Sequence, residues 1–429
     1  MFQTFRNAWK IPELKNRLLF TLAILVVYRL GCAIPVPFVS GSALTQMFAN
    51  GDMLSYLNMM SGGALARCTL FALGVTPYIN ASIIVQLLTV AIPSLENIAK
   101  EPDGQQKLQQ INRYAGAVVA LIMSIGYYFV IRNMGALKYV SGAAGVFAAV
   151  VIIATFVAGA QLITWAGEQI DDKGIGNGIS MILFAGIVSG LPNAVTYFVS
   201  LCKENLANIG FVLLAIVIFI AMVWFVIMMT NAERRIPVQY AKRVVGRKMY
   251  GGQSTHIPIK VAMSGVMPII FAMSLMSLPQ TILFFFGING TGDTFWDGFV
   301  RLFSQSSPLY AVIYFLLIIA FNYFYVSIQY NPVEIANNLK KNNGAIPGYR
   351  PGKPTSDFIY NSLNKITLIG AIFLGIVAIF PIILALCVPS LQGISIGGTT
   401  ILIVVGVALE TVRSLESQIM MRHHPGFLD

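Results

Sequence analysis

The chain has 429 residues, 56% of them hydrophobic and only 10% charged, and its mean hydropathy is +0.74. Soluble domains carry about 25% charged residues, so a water-soluble globular fold is excluded and a polytopic membrane protein is indicated. The formal net charge of +11 would suit nucleic acid or a membrane face, and the placement of the charges decides between them.

The chain opens on MFQTFRNAWKIPELKNR, a polar, amphipathic segment without the pattern of a cleavable signal. Apolar runs of the roughly 20 residues needed to cross a bilayer fall at about 18–37, 71–92, 113–132, 145–166, 176–196, 208–230, 261–286, 308–330, 366–388 and 396–413. Glu410 lies three residues from the end of the last span and Arg29 eight from the end of the first, and a long side chain there reaches toward the interface. Cys32, Cys68, Cys202 and Cys387 show neither paired nor metal-ligand spacing and read as packing residues.

Ten spans put both termini on the same side. With the N-terminus inside, the inner segments hold 22 Lys and Arg and the outer ones five, so both termini are expected in the cytoplasm. Two inner segments dominate, 231–260 and 330–365. The first, ERRIPVQYAKRVVGRKMYGGQSTHIPIK, carries seven of the 28 basic residues: Arg234, Arg235, Lys242, Arg243, Arg247, Lys248 and Lys260. The second contains Lys340, Lys341, Arg350 and Lys353. Such clusters suit RNA phosphates; they equally fit a topology signal or contact with anionic lipid.

GVTPYI at 74–79 and GVMPII at 265–270 occupy the second span of each set of five. Pro77 and Pro268 therefore hold corresponding places, and five helices per half means the halves run in opposite directions. Interrupted segments at matching places point to a site between repeats, although two ordinary proline kinks would look the same. Between the first two spans, DMLSYLNMMSGGALARCTLFALG is apolar in patches and broken by Gly62 and Gly63. It reads as a short half-helix, about Tyr56 to Arg67, which needs protein or a cavity around it, or as an external surface loop.

The sequence contains no phosphate-binding GxxxxGK[ST] or HExxH pattern. DDKGIGNGIS at 171–180 follows Glu168, Asp171 and Asp172, which would repel a phosphate, so its glycines read as a turn into the fifth span. No Asp, Glu or His falls at a span centre, where ion-coupled transporters place one. Val75 and Ile79, like Ile179 and Leu183, are one helical turn apart and share a face. Such aliphatics would seal a narrow waist by dewetting; periodicity alone also allows them to pack against lipid or neighbouring helices.

SGGALARCTLFALGVTPYINASIIVQLLTV at 61–90, GIGNGISMILFAGIVSGLP at 174–192, YAKRVVGRKMYGGQSTHIPIKV at 240–261 and IPGYRPGKPT at 346–355 resemble the SecY family, channel subunits of the bacterial protein translocase, over essentially the whole length. The resemblance implies an all-α polytopic membrane protein with ten transmembrane helices in two pseudo-symmetric inverted five-helix halves, 1–196 and 197–429. It implies an hourglass pore with an aliphatic ring that falls here on Val75, Ile79, Ile179, Leu183, Ile270 and Ile403. A plug would comprise Tyr56, Leu57, Asn58, Met59, Met60, Ser61, Gly62, Gly63, Ala64, Leu65, Ala66 and Arg67. The family's lateral gate lies between helices two and three and helices seven and eight, and Gln86 is placed there. Arg247 and Arg350 match its partner-binding arginines, with Lys242, Arg243, Lys248 and Lys260 in the same basic loop.

The resemblance further implies a plasma-membrane location, no catalysis, no metal and no cofactor. The partners it implies are the SecE and SecG subunits, the motor ATPase SecA, the ribosome, membrane lipids, and signal sequences and nascent polypeptides as substrate. The competing class is an inverted-repeat secondary transporter of a small solute.

Overall fold

The computed structural model describes residues 2–40, 61–192 apart from 62, 102 and 134, 208–240, 243–245, 248–250, 254–285, 307–387 and 398–422, together with 195–196, 199, 295–296, 298 and 303. The chain starts with an amphipathic helix, α1 (Phe2–Lys10), then α2 (Pro12–Gly31), whose proline at the first position has no helical hydrogen bond to lose. There follow α3 (Thr76–Ala91), α4 (Pro93–Lys100), α5 (Gly104–Asn133), α6 (Gly142–Lys173), α7 (Gly178–Val188) and α8 (Asn208–Asn231). After α8 come β1 (Glu233–Tyr240), β2 (Arg243–Val245), β3 (Lys248–Tyr250) and β4 (Ser254–Lys260). The chain returns to helix with α9 (Met267–Phe285), α10 (Pro308–Gln329) and α11 (Pro332–Lys341), makes the short β5 (Gly344–Ala345), and ends with α12 (Lys353–Cys387) and α13 (Gly398–Arg422).

Among the described residues, α5, α6, α8, α10 and α12 are each long and apolar enough to cross a bilayer, so the chain is a multi-pass membrane protein. The apolar stretch of α8 is only 11% buried, and side chains such as Val217, Ile220 and Trp224 face outward, as expected of a lipid-facing surface. The other expected spans are shorter or carry charge. Lys15, Arg17 and Arg29 lie on α2. α3 ends at Ala91, and the chain turns by 105° at Ile92 into α4.

The second and seventh expected spans do not begin as helix. Residues 70–75 and 261–266 are turns, and helix starts only at Thr76 and Met267. The two lead-in turns share two backbone bonds, with the donor residues 191 positions apart. The Leu70 N–H donates to the Ile34 carbonyl just past α2, and the Val261 N–H donates to the Ala232 carbonyl just past α8, both at 2.9 Å. Gly74 then bonds back to Phe71 at 2.9 Å, and Gly265 to Ala262 at 3.4 Å. Both glycines have left-handed backbone, φ +56° and +62°, which a side chain would strain. Pro77 and Pro268 are each the second residue of their helix. The sequence left a mid-helix kink open for both; instead each proline sits in a first turn, where its missing N–H has no helical partner in any case.

Outside the helical body the two basic segments are not loose arms. β1 pairs antiparallel with β4 from Glu233↔Lys260 to Gln239↔Ser254, and on its other side with β5 through Gln239↔Ala345 and Tyr240↔Gly344. Ile236 and Val238 alternate inward on β1, as a half-buried strand requires. They join Ile259, Leu339, Ile346, Ile359 and Leu363 in a small core of their own. Full burial of such side chains is worth about 1.5–3 kcal/mol each, enough to hold residues from 231–260 and 330–365 as one body. β2 and β3 form a separate two-stranded ribbon.

Candidate functional site

Val75, Ile79, Leu183, Ile270 and Ile403 are buried in one continuous apolar cluster, and the half-buried Ile179 packs against it. The six positions come from α3 and its lead-in turn, α7, α9 and α13. Contacts between α3 and α9 and between α7 and α13 close the cluster. Val266 also packs on it. It is the counterpart of Val75 in the second lead-in turn, and the sequence reading passed over it. The 191-residue offset between GVTPYI and GVMPII was the signal that could have found it.

The turn before α7 explains its glycine-rich sequence. Asp171 Oδ1 accepts the Gly178 N–H at 2.7 Å and Asn177 Oδ1 accepts the Ser180 N–H at 3.0 Å. These first-turn donors, which a phosphate would need, are already occupied. Glu168 is held by Arg113 of α5 in a two-point ion pair, 3.2 Å and 2.6 Å. On the far side Thr411 Oγ1 lies 3.4 Å from Met181 Sδ, so α13 registers on α7 between the two aliphatic positions.

Of the segment Tyr56–Arg67, residues 56–60 and Gly62 lie outside the described residues. Ser61 and Gly63–Arg67 form a chain of turns, where a half-helix was expected. Their carbonyls take side-chain donors in addition to the backbone bonds of the turns. The Tyr28 hydroxyl donates to the Ser61 carbonyl at 3.4 Å, the Tyr127 hydroxyl to Leu65 at 2.7 Å, and Thr69 Oγ1 to Ala64 at 3.2 Å. Ser61, Ala64, Leu65 and Ala66 are buried and Arg67 is exposed. Ala64 belongs to the same cluster as the six aliphatics, so for the described part the surface-loop alternative does not hold.

Gln86 is half-buried on α3, with Nε2 donating to Ser82 Oγ one turn earlier at 3.4 Å. Its helix lies against α9, as does α5.

The basic residues sit on the strand-bearing side. Arg243 and Lys248 belong to β2 and β3; Lys242 and Arg247 lie outside the described residues. Lys260 ends β4 opposite Glu233. Partial burial, with Arg413 nearby, pushes its ammonium below the usual lysine range, while Glu233 and Glu410 pull the other way. Arg350 is exposed on a short loop between Gly348 and Gly352, whose φ values are +86° and +111°. The loop is braced by Thr355 Oγ1, which donates to the Arg350 carbonyl at 2.8 Å, and by the rings of Tyr349 and Phe358, 4.3 Å apart. Its side chain is thus presented without supporting the fold. Among the described residues no group of three or more His, Cys, Asp or Glu is placed to hold a metal.

Comparison with known proteins agrees with this architecture. A translocase subunit SecY of Streptomyces scabiei is 41% identical over 444 residues, covering all of both chains. Among solved structures, one reporting that the plug domain of SecY stabilises the closed state of the translocation channel and maintains a membrane seal superposes with a TM-score of 0.70 at 20% identity, covering 97% of this chain and 95% of that one. Sec61 in a canine ribosome–channel complex from the endoplasmic reticulum gives 0.67 at 18% identity, with the same coverage. The SecY family model matches residues 69–412, and with a full-length relative at 41% identity the chain belongs to the SecY family.

Proposed function

We propose that this chain is the pore-forming subunit of a protein-conducting channel in the plasma membrane, with both termini cytoplasmic. It passes unfolded secretory polypeptides across the membrane and releases transmembrane segments sideways into lipid. The observation that carries this reading is the convergence of Val75, Ile79, Ile179, Leu183, Ile270 and Ile403 on one apolar cluster, with α3 and α9 starting from matched turns. That match supports two inverted halves, 1–196 and 197–429, with the aliphatic positions as a ring at their junction. An aliphatic waist seals against ions by excluding water and yields to any passing side chain, because dispersion contacts carry no sequence preference.

The segment 56–67 acts as the plug above this waist, and its buried end at Ser61 and Ala64–Ala66 supports that role. The seam of α3 and α5 against α9 and α10 is the lateral gate, with Gln86 beside it. An apolar segment that opens this seam partitions into lipid, and bilayer cost sorts it from polar chain. The sheet-linked basic segments dock the partner that drives transport, either a ribosome or the motor ATPase SecA. Lys242, Arg243, Arg247, Lys248, Lys260 and Arg350 supply salt-sensitive contacts, and SecE and SecG complete the channel. The chain itself is not an enzyme.

A single cysteine at position 79 of a cysteine-free variant, facing one cysteine in a stalled preprotein in vesicles, tests the reading. A disulfide that depends on SecA and ATP is expected. Its absence with an engaged preprotein would remove α3 from the path and leave small-solute transport as the better account.

A further inference from the structure

The two lead-in turns are held from below as well as from the side. The carbonyl of Leu70 lies directly on Gly159 in the middle of α6, and the carbonyl of Val261 lies directly on Gly370 in α12. A methyl carbon at 159 would overlap the Leu70 oxygen and stand 2.9 Å from its carbon; one at 370 would overlap the Val261 oxygen and stand 3.4 Å from its carbon. The obstacle in both places is backbone, which cannot rotate aside. Alanine is the better helix former, so a glycine inside each of these helices costs helix stability in exchange for close approach.

The pairing is systematic. Leu70 and Val261 are the same residues whose N–H groups bond the carbonyls of Ile34 and Ala232 at 2.9 Å. Each lies four positions before the left-handed glycine, five before Val75 or Val266, and nine before Ile79 or Ile270. A residue pinned at both its N–H and its C=O has the peptide planes on either side of its Cα fixed, and with them the point where the following helix starts. In the second half the seat is backed by Asn322, which accepts from Ser264 of the lead-in turn and donates to the Thr367 carbonyl at 2.9 Å.

We propose that Gly159 and Gly370 are a matched pair of positioning residues that set where α3 and α9 begin, and with them the resting width of the aliphatic waist. The inference rests on the pore reading above. Restoring an ordinary contact of about 3.5 Å around a new methyl group moves the lead-in turn outward by about 1 Å or more. A helix is stiff over the two turns that follow, so Val75 and Ile79, or Ile270, move with it. The waist then admits water.

The complete channel complex, reconstituted in vesicles, tests this with Gly159→Ala, Gly370→Ala and, as control, Gly116→Ala. Gly116 also faces α3, but a methyl group there would stand 3.7 Å from Tyr78, an ordinary contact. Both seat variants are expected to raise resting ion flux severalfold and to export a preprotein with a defective signal, while Gly116→Ala behaves as the parent. Seat variants present at normal levels but sealed and strict would overturn the proposal. So would failure of both to accumulate, which would make the glycines plain packing positions. The cysteine-79 crosslink in the parent separates the two readings: no crosslink sinks the pore assignment, whereas a crosslink with insensitive seats sinks only this inference.

Discussion

The Tyr127 hydroxyl donates a 2.7 Å hydrogen bond to the Leu65 carbonyl, with both residues buried. The Tyr127 ring stands edge-on to Phe156, centroids 5.4 Å apart. Tyr127→Phe keeps the ring packing and removes the donor. The Leu65 carbonyl keeps its 3.1 Å bond from the Cys68 N–H, so the loss is one buried hydrogen bond, about 0.5–1.5 kcal/mol, and the purified complex should melt at a lower temperature. An unchanged midpoint would mean that the Cys68 N–H alone satisfies the Leu65 oxygen.

Arg350 stands on a loop held by its backbone and by Tyr349, and its own side chain is exposed. Charge reversal, Arg350→Glu, should leave the amount of channel in the membrane unchanged. SecA-driven export should fall, and the loss should resemble that produced in the parent by raised salt. Export at the parental rate would remove Arg350 from the docking surface.

Ile79 is buried in the apolar cluster and Ile179 packs against it. Replacing both with glycine takes away two of the six aliphatic side chains that would keep a narrow waist dry. Planar-bilayer recordings of the resting double variant should show open-channel current. Conductance equal to the parent would count against these two positions as part of the ring.

Ile236 lies in the core that joins the strands of 231–260 to β5 and the start of α12. Ile236→Ala leaves a cavity worth about 2–5 kcal/mol. Limited proteolysis should then cut both 231–260 and 330–365 faster, with the membrane helices still protected. Cleavage that rises in only one segment would show that the two do not fold as a unit.

Much of this was legible along the chain. Apolar runs report spans because the bilayer imposes a length, and the lysines and arginines give an expected sidedness because charge resists crossing; both signals are local. The paired GVTPYI and GVMPII carried the repeat because one backbone conformation, with glycine left-handed and proline in a first turn, demands the same residues twice. Whether Pro77 kinks a helix or starts one was open, since a proline fits either place. The decision came from Leu70 and Val261, whose bonds to Ile34 and Ala232 and whose seats on Gly159 and Gly370 depend on residues far along the chain. The same holds for the basic segments. Nothing in ERRIPVQY announces that Gln239 will pair with Ala345, because a strand's register belongs to its partner as much as to itself.

By itself, then, the sequence determined that the chain is an all-α multi-pass membrane protein, where its basic residues cluster and which residue types are available for a waist, since each depends on local composition and spacing. Only the tertiary structure decided which of many buried aliphatics meet in one cluster, that 61 and 63–67 run as turns, and that two distant basic segments form one sheet. Those outcomes depend on close contacts between segments up to hundreds of residues apart, and side-chain packing at that range leaves no periodic trace in a single chain.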